Sequence, residues 1–171
     1  MTIFRNTLIA AAIVASPVAL AQTATTMPDG RIGVAAALDA AKAQVNGGIL
    51  EAELETEGGE LVWEIDIVVG ETIQEVKVNA MSGEVISADE KTIEGTWRGW
   101  FDEDRLAAAQ QLSGDLGGMI TKAETEAGGQ IVELSLEEED GRLLYEVEFD
   151  MPSGDREMLL DPQTGALMPD D

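Results

Sequence analysis

The sequence predicts an α+β fold of two tandem small modules, each with one helix packed on a three- to four-stranded antiparallel sheet. Three observations predict it. The chain contains two similar copies of one segment, each copy opens with apolar residues at helical spacing, and alternating apolar and charged residues follow each helix. A helix over such strands buries one face of the sheet, so this order of elements favours a compact α+β module.

The internal repeat decides the architecture. Gly47 to Val85 aligns without a gap on Gly129 to Leu167, and 11 of the 39 aligned positions are identical. Many of the other pairs are conservative, such as Trp63 with Tyr145. Two copies of one folding unit explain this pattern, and a unit of this size is marginally stable alone, which favours pairing.

Each module is predicted to begin with an amphipathic helix. The apolar positions are Val34, Leu38, Ala41 and Val45 in the first helix and Leu116, Ile120, Ala123 and Ala127 in the second. Gly47-Gly48 and Gly128-Gly129 are expected to end the helices, because glycine readily adopts the left-handed cap conformation. An extra turn of helix is expected from Arg105 to Leu112.

Three strands follow each helix, and a short fourth strand can return to the sheet. The predicted core positions are Leu50, Ala52, Leu54, Trp63, Ile65, Ile67, Val76 and Val78, and then Val132, Leu134, Leu136, Tyr145, Val147, Phe149, Met158 and Leu160. Trp63 and Tyr145 should occupy equivalent core positions. Each module closes with a similar turn, 79–85 and 161–167, in which an Asx side chain caps the turn and glycine takes positive φ.

The N-terminal segment 1–21 is typical of a secretory signal peptide. Arg5 precedes an apolar run that Pro17 interrupts, and Ala19-Leu20-Ala21 is a small-x-small cleavage pattern. The alternative is an uncleaved membrane anchor, which needs about 20 apolar residues. The sequence therefore predicts a periplasmic or secreted protein with no membrane span after cleavage. The predicted division is signal peptide 1–21, module 30–90, aromatic linker 91–103 and module 104–171.

Charge and composition exclude several functions. The chain has 34 acidic and 10 basic side chains, a net charge of −24, which argues against nucleic acid and anionic lipid as partners. It has no His and no Cys, so histidine- and cysteine-based catalysis and the usual zinc ligands are excluded. We predict a protein that is not an enzyme and has no cofactor or dedicated metal site. Weak cation binding by carboxylates remains compatible with the acidic run 137–140.

The repeated motifs resemble the PepSY domain. The resemblance is carried by a helix, an acidic-apolar strand, an aromatic-Glu-aliphatic strand and a closing Asx-x-x-Ser/Thr-Gly turn. These read Glu51 to Glu55, Trp63-Glu64-Ile65 and Asn79 to Val85 in the first copy, and Glu133 to Glu137, Tyr145-Glu146-Val147 and Asp161 to Leu167 in the second. The resemblance implies a helix across an antiparallel sheet and a role in binding and restraining peptidases near the cell surface. It implies no catalytic residue.

Two kinds of residue are candidates for binding a partner. The first is the linker aromatics, and the second is the carboxylates of one predicted strand face. The candidates are Trp97, Trp100, Phe101, Glu51, Glu53, Glu64, Glu133 and Glu146. The expected partner is a protein such as a peptidase or a cell-wall lytic enzyme. Two alternatives stay open: the aromatics could pack the modules together, and the chain could be an acidic cation-binding or envelope-stress protein without a specific protein partner.

Overall fold

The computed structural model describes residues 27, 29–91, 103–112 and 115–170. In chain order these residues form α1 (Val34–Gln44), β1 (Gly48–Glu57), β2 (Glu60–Val69), β3 (Thr72–Asn79), β4 (Val85–Lys91), α2 (Glu103–Leu112), α3 (Leu116–Ala127), β5 (Gln130–Glu139), β6 (Arg142–Asp150), β7 (Arg156–Leu160) and β8 (Leu167–Pro169). Within them, no helix is long and apolar enough to cross a membrane. The α+β class of the prediction is confirmed.

The strands form one antiparallel sheet in the order β4-β3-β2-β1-β5-β6-β7-β8. Each repeat contributes four consecutive strands, and β1 pairs with β5 where the repeats meet. The layout therefore differs from two separate modules, because the repeats share one sheet. The helix α2 lies where an extra turn of helix was predicted from Arg105 to Leu112, and it begins at Glu103. A strand at the edge of one module carries unpaired backbone groups, and pairing it with its counterpart removes both edges.

The two repeats are related by a pseudo-two-fold axis through the β1–β5 pair. Ala52 lies opposite Leu134, and these two residues are equivalent in the repeat. Glu51 lies opposite Ser135, and Glu53 lies opposite Glu133, so each repeat offers the same edge to the other. This is the isologous pairing of a two-fold symmetric dimer, achieved here within one chain.

The core side of the sheet contains the two predicted aromatic residues. Trp63 and Tyr145 are both completely buried, which confirms their equivalent core positions. Their polar atoms have different partners. The Trp63 indole N–H donates to the Ile32 carbonyl at 3.1 Å, whereas the Tyr145 hydroxyl donates to the Ile49 carbonyl of the other repeat at 2.8 Å. Tyr145 therefore joins the two halves of the core.

A β-bulge in the first strand of each repeat alters the predicted alternation. The register shifts between Ile49 and Glu51 in β1 and between Ile131 and Glu133 in β5. As a result Ile131 is completely buried, and Val132, which the alternation placed in the core, is only half-buried. A simple period of two cannot show this, because a bulge inserts one residue into the alternation.

The glycine pair after α1 has a different role from the predicted one. The helix ends at Val45 in an extended conformation, without a left-handed cap. A Cβ on Gly47 would lie 2.1 Å from the Val68 carbonyl oxygen, and one on Gly48 would lie 2.5 Å from the Ala109 carbonyl carbon. Both glycines thus permit close packing. The prediction is confirmed for α3, where Gly128 caps the helix at φ 74°.

Gly48 also shows on which side of the sheet α2 lies. Gly48 pairs with Val68, so the two residues face the same side of the sheet. Because side chains alternate along β2, this side is opposite to the one that carries the buried side chain of Ile67. The Ala109 backbone packs directly over Gly48, so α2 covers the end of the sheet face that faces away from Trp63. The helices α1 and α3 contact each other on the core side.

The closing turns have the predicted chemistry. The Asn79 side-chain oxygen accepts hydrogen bonds from the backbone N–H groups of Met81 and Ser82. The Asp161 side chain does the same for the two equivalent residues of the second repeat. Gly83 and Gly165 have φ angles of 73° and 66°, as expected for the positive-φ position of the turn.

Candidate binding surface

The face of the sheet opposite the core carries a continuous set of carboxylates, which we call the acidic face. Residues paired directly across neighbouring strands project to the same side of a sheet, so the strand register defines the set. Its central members are Glu51, Glu53, Glu64, Asp66, Glu75, Glu133, Glu146, Glu148 and Glu157. These central members run from β3 to β7 and cross the pseudo-two-fold axis, and Asp89 on β4 lies opposite Glu75 at the edge of the face.

Like charges lie directly opposite one another at several places on this face. Glu51 pairs with Asp66, and Glu53 lies between Glu64 on β2 and Glu133 on β5. Directly opposed like charges destabilise a sheet. A surface that holds such pairs is therefore not optimised for stability alone, and it favours the approach of positive charge.

Two lysines partly neutralise the half of the acidic face in the first repeat. The Lys77 ammonium lies 3.0 Å from Glu57, 3.3 Å from Glu64 and 3.7 Å from Glu75. The Lys91 ammonium lies 3.0 Å from Asp66, 3.2 Å from Glu75 and 3.4 Å from Glu64. Carboxylates from three strands thus surround two ammonium groups contributed by the same repeat.

The pKa values of this half reflect the competition between burial and lysine. Burial and then the charge of Asp66 raise the pKa of Glu51 to about 7, against the opposing effect of Lys91. Burial also raises the pKa of Asp66 despite its hydrogen bond from Lys91. Burial alone would raise the pKa of Glu64, but the hydrogen bond from Lys77 and the charge of Lys91 outweigh it, so this pKa is lowered.

The half in the second repeat lacks such lysines among residues 115–170. Burial and neighbouring carboxylates raise the pKa values of Glu146 and Glu148. Four carboxylates and one hydroxyl line a shallow depression of about 50 Å³ there. The lining residues are Glu133, Ser135, Glu146, Glu148 and Glu157.

The five carboxylates predicted from sequence, Glu51, Glu53, Glu64, Glu133 and Glu146, all lie on the acidic face. Sequence reasoning did not name the other four central members as binding candidates, although Glu75 and Glu157 are an identical pair of the repeat and could have been found from that. The predicted aromatic candidates Trp97, Trp100 and Phe101 lie outside the described residues, as does the predicted signal peptide.

Carboxylate oxygens also approach one another closely enough to share a cation at two places on this side of the sheet. One group is Glu64, Asp66 and Glu75, and the other is Glu146, Glu157 and Asp170; in each, one oxygen per residue lies within 4.8 Å of the others. In the first group Lys91 already contacts all three carboxylates.

A larger depression, of about 390 Å³, lies where the segment before α1 meets the second repeat. Arg31 on its wall forms ion pairs with Asp29 and, at 3.7 Å, with Asp150. The hydrogen bond from Arg31 lowers the pKa of Asp29. These contacts link the chain before α1 to β6, and their charges are internally paired.

The chain is thus a protein of two similar units. Each unit has a helix followed by a four-stranded antiparallel meander, and the two units share one sheet with an acidic face. The PepSY family, described as the peptidase propeptide and YPEB domain, matches residues 31–89 and 120–168. These regions cover more than half of the chain, and the protein belongs to the PepSY family. No curated protein matches the chain.

A solved structure shows the same fold. It is a proposed lipoprotein from Clostridium difficile 630, with a TM-score of 0.50 and 15% sequence identity, and the match covers 86% of this chain and 97% of that one. At this identity the likeness concerns the fold alone.

Proposed function

We propose that this chain is an exported, non-enzymatic binding protein that restrains or regulates a peptidase of the cell envelope. The observation that carries the proposal is the acidic face: at least nine carboxylates from both repeats lie on one side of a sheet whose other side is the core. Membership of a family described from peptidase propeptides supports a peptidase as the partner.

The acidic face has the properties of a surface for a basic partner. A net charge of −24 attracts a positively charged protein over a distance of about one Debye length, roughly 8 Å at physiological salt, and so accelerates encounter. The sheet provides a rigid platform, because each of the strands β1, β2, β3, β5, β6 and β7 is paired on both sides. Binding through such a face should weaken as the salt concentration rises.

The composition supports binding rather than turnover. Hydrolysis by paired carboxylates requires two of them on either side of the scissile bond, in a cleft deep enough to hold the substrate. The carboxylates of the second repeat line only a shallow depression of about 50 Å³. Without His or Cys, few other routes to catalysis are open to this chain.

Export rests on the N-terminal segment 1–21. Its charge, apolar run and small-x-small pattern are those of a cleaved signal peptide, which would deliver the chain to the periplasm or the exterior. Mass spectrometry of the exported protein should give an N-terminus at Gln22. Recovery of the uncleaved chain in the membrane fraction would contradict export with cleavage.

An affinity experiment tests the function. The immobilised protein is incubated with envelope extract at low and moderate salt, and the stoichiometric captured proteins are identified by mass spectrometry. We expect a peptidase or a cell-wall lytic enzyme whose activity falls when the purified protein is added. A Glu53→Gln/Glu133→Gln variant, which removes the two charges opposed across the β1–β5 pair, should capture less of it. Glu71→Gln/Glu126→Gln, in the β2–β3 hairpin and at an exposed position of α3, is the control of equal charge.

Two results would contradict the proposal. The first is hydrolase activity in the purified chain that disappears when one carboxylate is replaced. The second is capture of the same enzyme in equal amount by the wild type and by the Glu53→Gln/Glu133→Gln variant, which would place binding elsewhere.

A second candidate, an acidic cation-binding protein, is favoured by one observation. The carboxylate oxygens of Glu146, Glu157 and Asp170 lie within 4.8 Å of one another. Calcium prefers such oxygen ligands, although it normally takes six to eight of them. Calcium-dependent thermal stabilisation of the purified chain, with no enzyme captured, would support this candidate over the first.

A further inference from the structure

The two halves of the acidic face are built from equivalent residues. In the ungapped alignment of the repeats, Glu64, Asp66 and Glu75 correspond to Glu146, Glu148 and Glu157. The register is also the same, since Asp66 lies opposite Glu75 in the first repeat and Glu148 lies opposite Glu157 in the second. One arrangement of three carboxylates on neighbouring strands therefore occurs twice.

The first repeat shows what this arrangement binds. Lys91 contacts all three carboxylates at 3.0–3.4 Å, and Lys77 contacts two of them at 3.3 and 3.7 Å. Both contacting groups are primary ammonium groups on flexible side chains. The cluster of Glu64, Asp66 and Glu75 thus binds lysine, and the lysines come from the same repeat.

The second repeat has no equivalent of this internal ligand in the part of the chain that the structure describes. Leu159 stands where the first repeat has Lys77, and β8 contains only Leu167, Met168 and Pro169. Within 115–170 the remaining basic side chains are used elsewhere or project elsewhere. Lys122 donates to the Gly165 carbonyl, Arg142 pairs with Asp161, and Arg156 lies opposite Phe149, on the other side of the sheet.

The depression over Glu133, Ser135, Glu146, Glu148 and Glu157 has a volume of about 50 Å³. A site needs roughly 10–15 Å³ of this kind of volume to hold one water molecule, and an ammonium group is of similar size. The depression therefore has room for an ammonium group, which is the group that the equivalent carboxylates of the first repeat contact.

We propose that this depression is a docking site for a lysine side chain of the protein partner, which takes the position that Lys77 and Lys91 take in the first repeat. The inference rests on the proposed function and deepens it. It assigns binding to the β5–β7 half of the acidic face and assigns the partner a lysine-bearing segment. The first repeat contributes attraction at long range, but its Glu64, Asp66 and Glu75 are already paired with lysine.

Exchange of one pair of side chains tests this at constant net charge. The variant Lys77→Leu/Leu159→Lys should fill the second depression from within, while Lys91 keeps its contacts with the carboxylates of the first repeat. The probe is fluorescein-labelled hexalysine, and its binding to the exported protein is followed by fluorescence anisotropy and by amide chemical shifts. In the wild type we expect the shifts to concentrate in β5–β7. In the exchange variant we expect the shifts in β5–β7 to be largely lost.

Single variants provide the magnitudes. Leu159→Lys should weaken hexalysine binding about tenfold, because an internal ammonium competes with the probe for the same carboxylates. Glu71→Gln, which changes the net charge equally in the β2–β3 hairpin, should change it less than about twofold. Leu159→Gln separates loss of the buried leucine from gain of charge, and its affinity should stay close to that of the wild type.

The outcomes separate the inference from the function on which it rests. Equal weakening by Leu159→Lys and Glu71→Gln, or shifts spread evenly over both repeats, would overturn the lysine site. The site is also overturned if calcium displaces hexalysine where sodium chloride of equal ionic strength does not, since the cluster is then a cation site. If the site is confirmed but no envelope peptidase is captured, the proposed function fails and the lysine site stands.

Discussion

Replacement of Glu51 by Gln should stabilise the protein at neutral and alkaline pH. Glu51 is half-buried on β1, and its charged form meets Asp66 on β2, Glu53 on its own strand and Glu133 on β5, whereas Lys91 of β4 opposes their effect. Burial and these carboxylates raise its pKa from 4.5 to about 7. The folded protein therefore holds a proton on Glu51 under conditions in which the unfolded chain releases it.

The sign and the size of the effect follow from this difference. Between pH 4.5 and about 7 the folded state binds more protons than the unfolded state, so the free energy of unfolding rises as the pH falls. The pKa difference corresponds to about 3 kcal/mol above pH 7, but solvent screens a half-buried group, and about 1–2 kcal/mol is a realistic share. The glutamine variant should therefore be more stable by that amount at pH 8.

Thermal unfolding followed by circular dichroism measures this. At pH 8 we expect the Tm of Glu51→Gln to exceed that of the wild type by about 3–6 °C, and at pH 4.5 we expect the two Tm values to converge. Glu55→Gln, at an exposed position of the same strand, should differ from the wild type by less than about 0.5 kcal/mol at either pH. A pH-independent difference for Glu51→Gln, or a lower Tm than the wild type at pH 8, would refute the reasoning.

Three further predictions concern the fold. Trp63→Ala should cost about 3–5 kcal/mol in chemical denaturation because it removes a fully buried ring, and a loss below about 1 kcal/mol would contradict its place in the core. Tyr145→Phe keeps the ring but removes the hydrogen bond to the Ile49 carbonyl, so it should cost about 1–2 kcal/mol; an unchanged Tm would show that this bond does not support the junction. Gly48→Ala places a methyl group against the Ala109 backbone, so hydrogen exchange in α2 should accelerate, and unchanged exchange there would show that α2 does not depend on this contact.

Local patterns predicted the elements of this fold, because each rests on neighbouring residues. The helix faces, the strands with their hairpins and the closing turns at Asn79 and Asp161 depend on periodicity and on turn chemistry, which the sequence contains. The repeat added the equivalence of Trp63 and Tyr145, which the structure confirms.

Contacts between the repeats were not predictable in the same way. The β1–β5 pair joins Ala52 to Leu134, and nothing in the local pattern of either strand states that its edge is free for the other. The bulge at Ile131 and the packing of α2 on Gly48 also depend on tertiary contacts. For this reason the sequence indicated the individual candidates, which are Glu51, Glu53, Glu64, Glu133 and Glu146. It did not indicate that these residues lie on one continuous surface.

Duplication within one chain also explains how the acidic face can be asymmetric. Lys77 and Leu159 occupy the same position of the repeat. In a homodimer of identical modules, both halves would have to carry the same residue there. A fused pair is free of that constraint. One half can then carry Lys77 and Lys91, which relieve the repulsion among its carboxylates, while the other half keeps its charge for an outside ligand.

The carboxylates of the second repeat still repel one another. The fold tolerates this repulsion because the Tyr145 hydrogen bond and the continuous sheet attach the second repeat to the first. On this argument, Lys77→Leu should lower the Tm more than Lys77→Arg, since only the leucine variant removes the positive charge and leaves both halves repulsive. Thermal unfolding of the two variants beside the wild type measures the difference. An equal or smaller loss of Tm for Lys77→Leu would show that this lysine does not stabilise the first repeat.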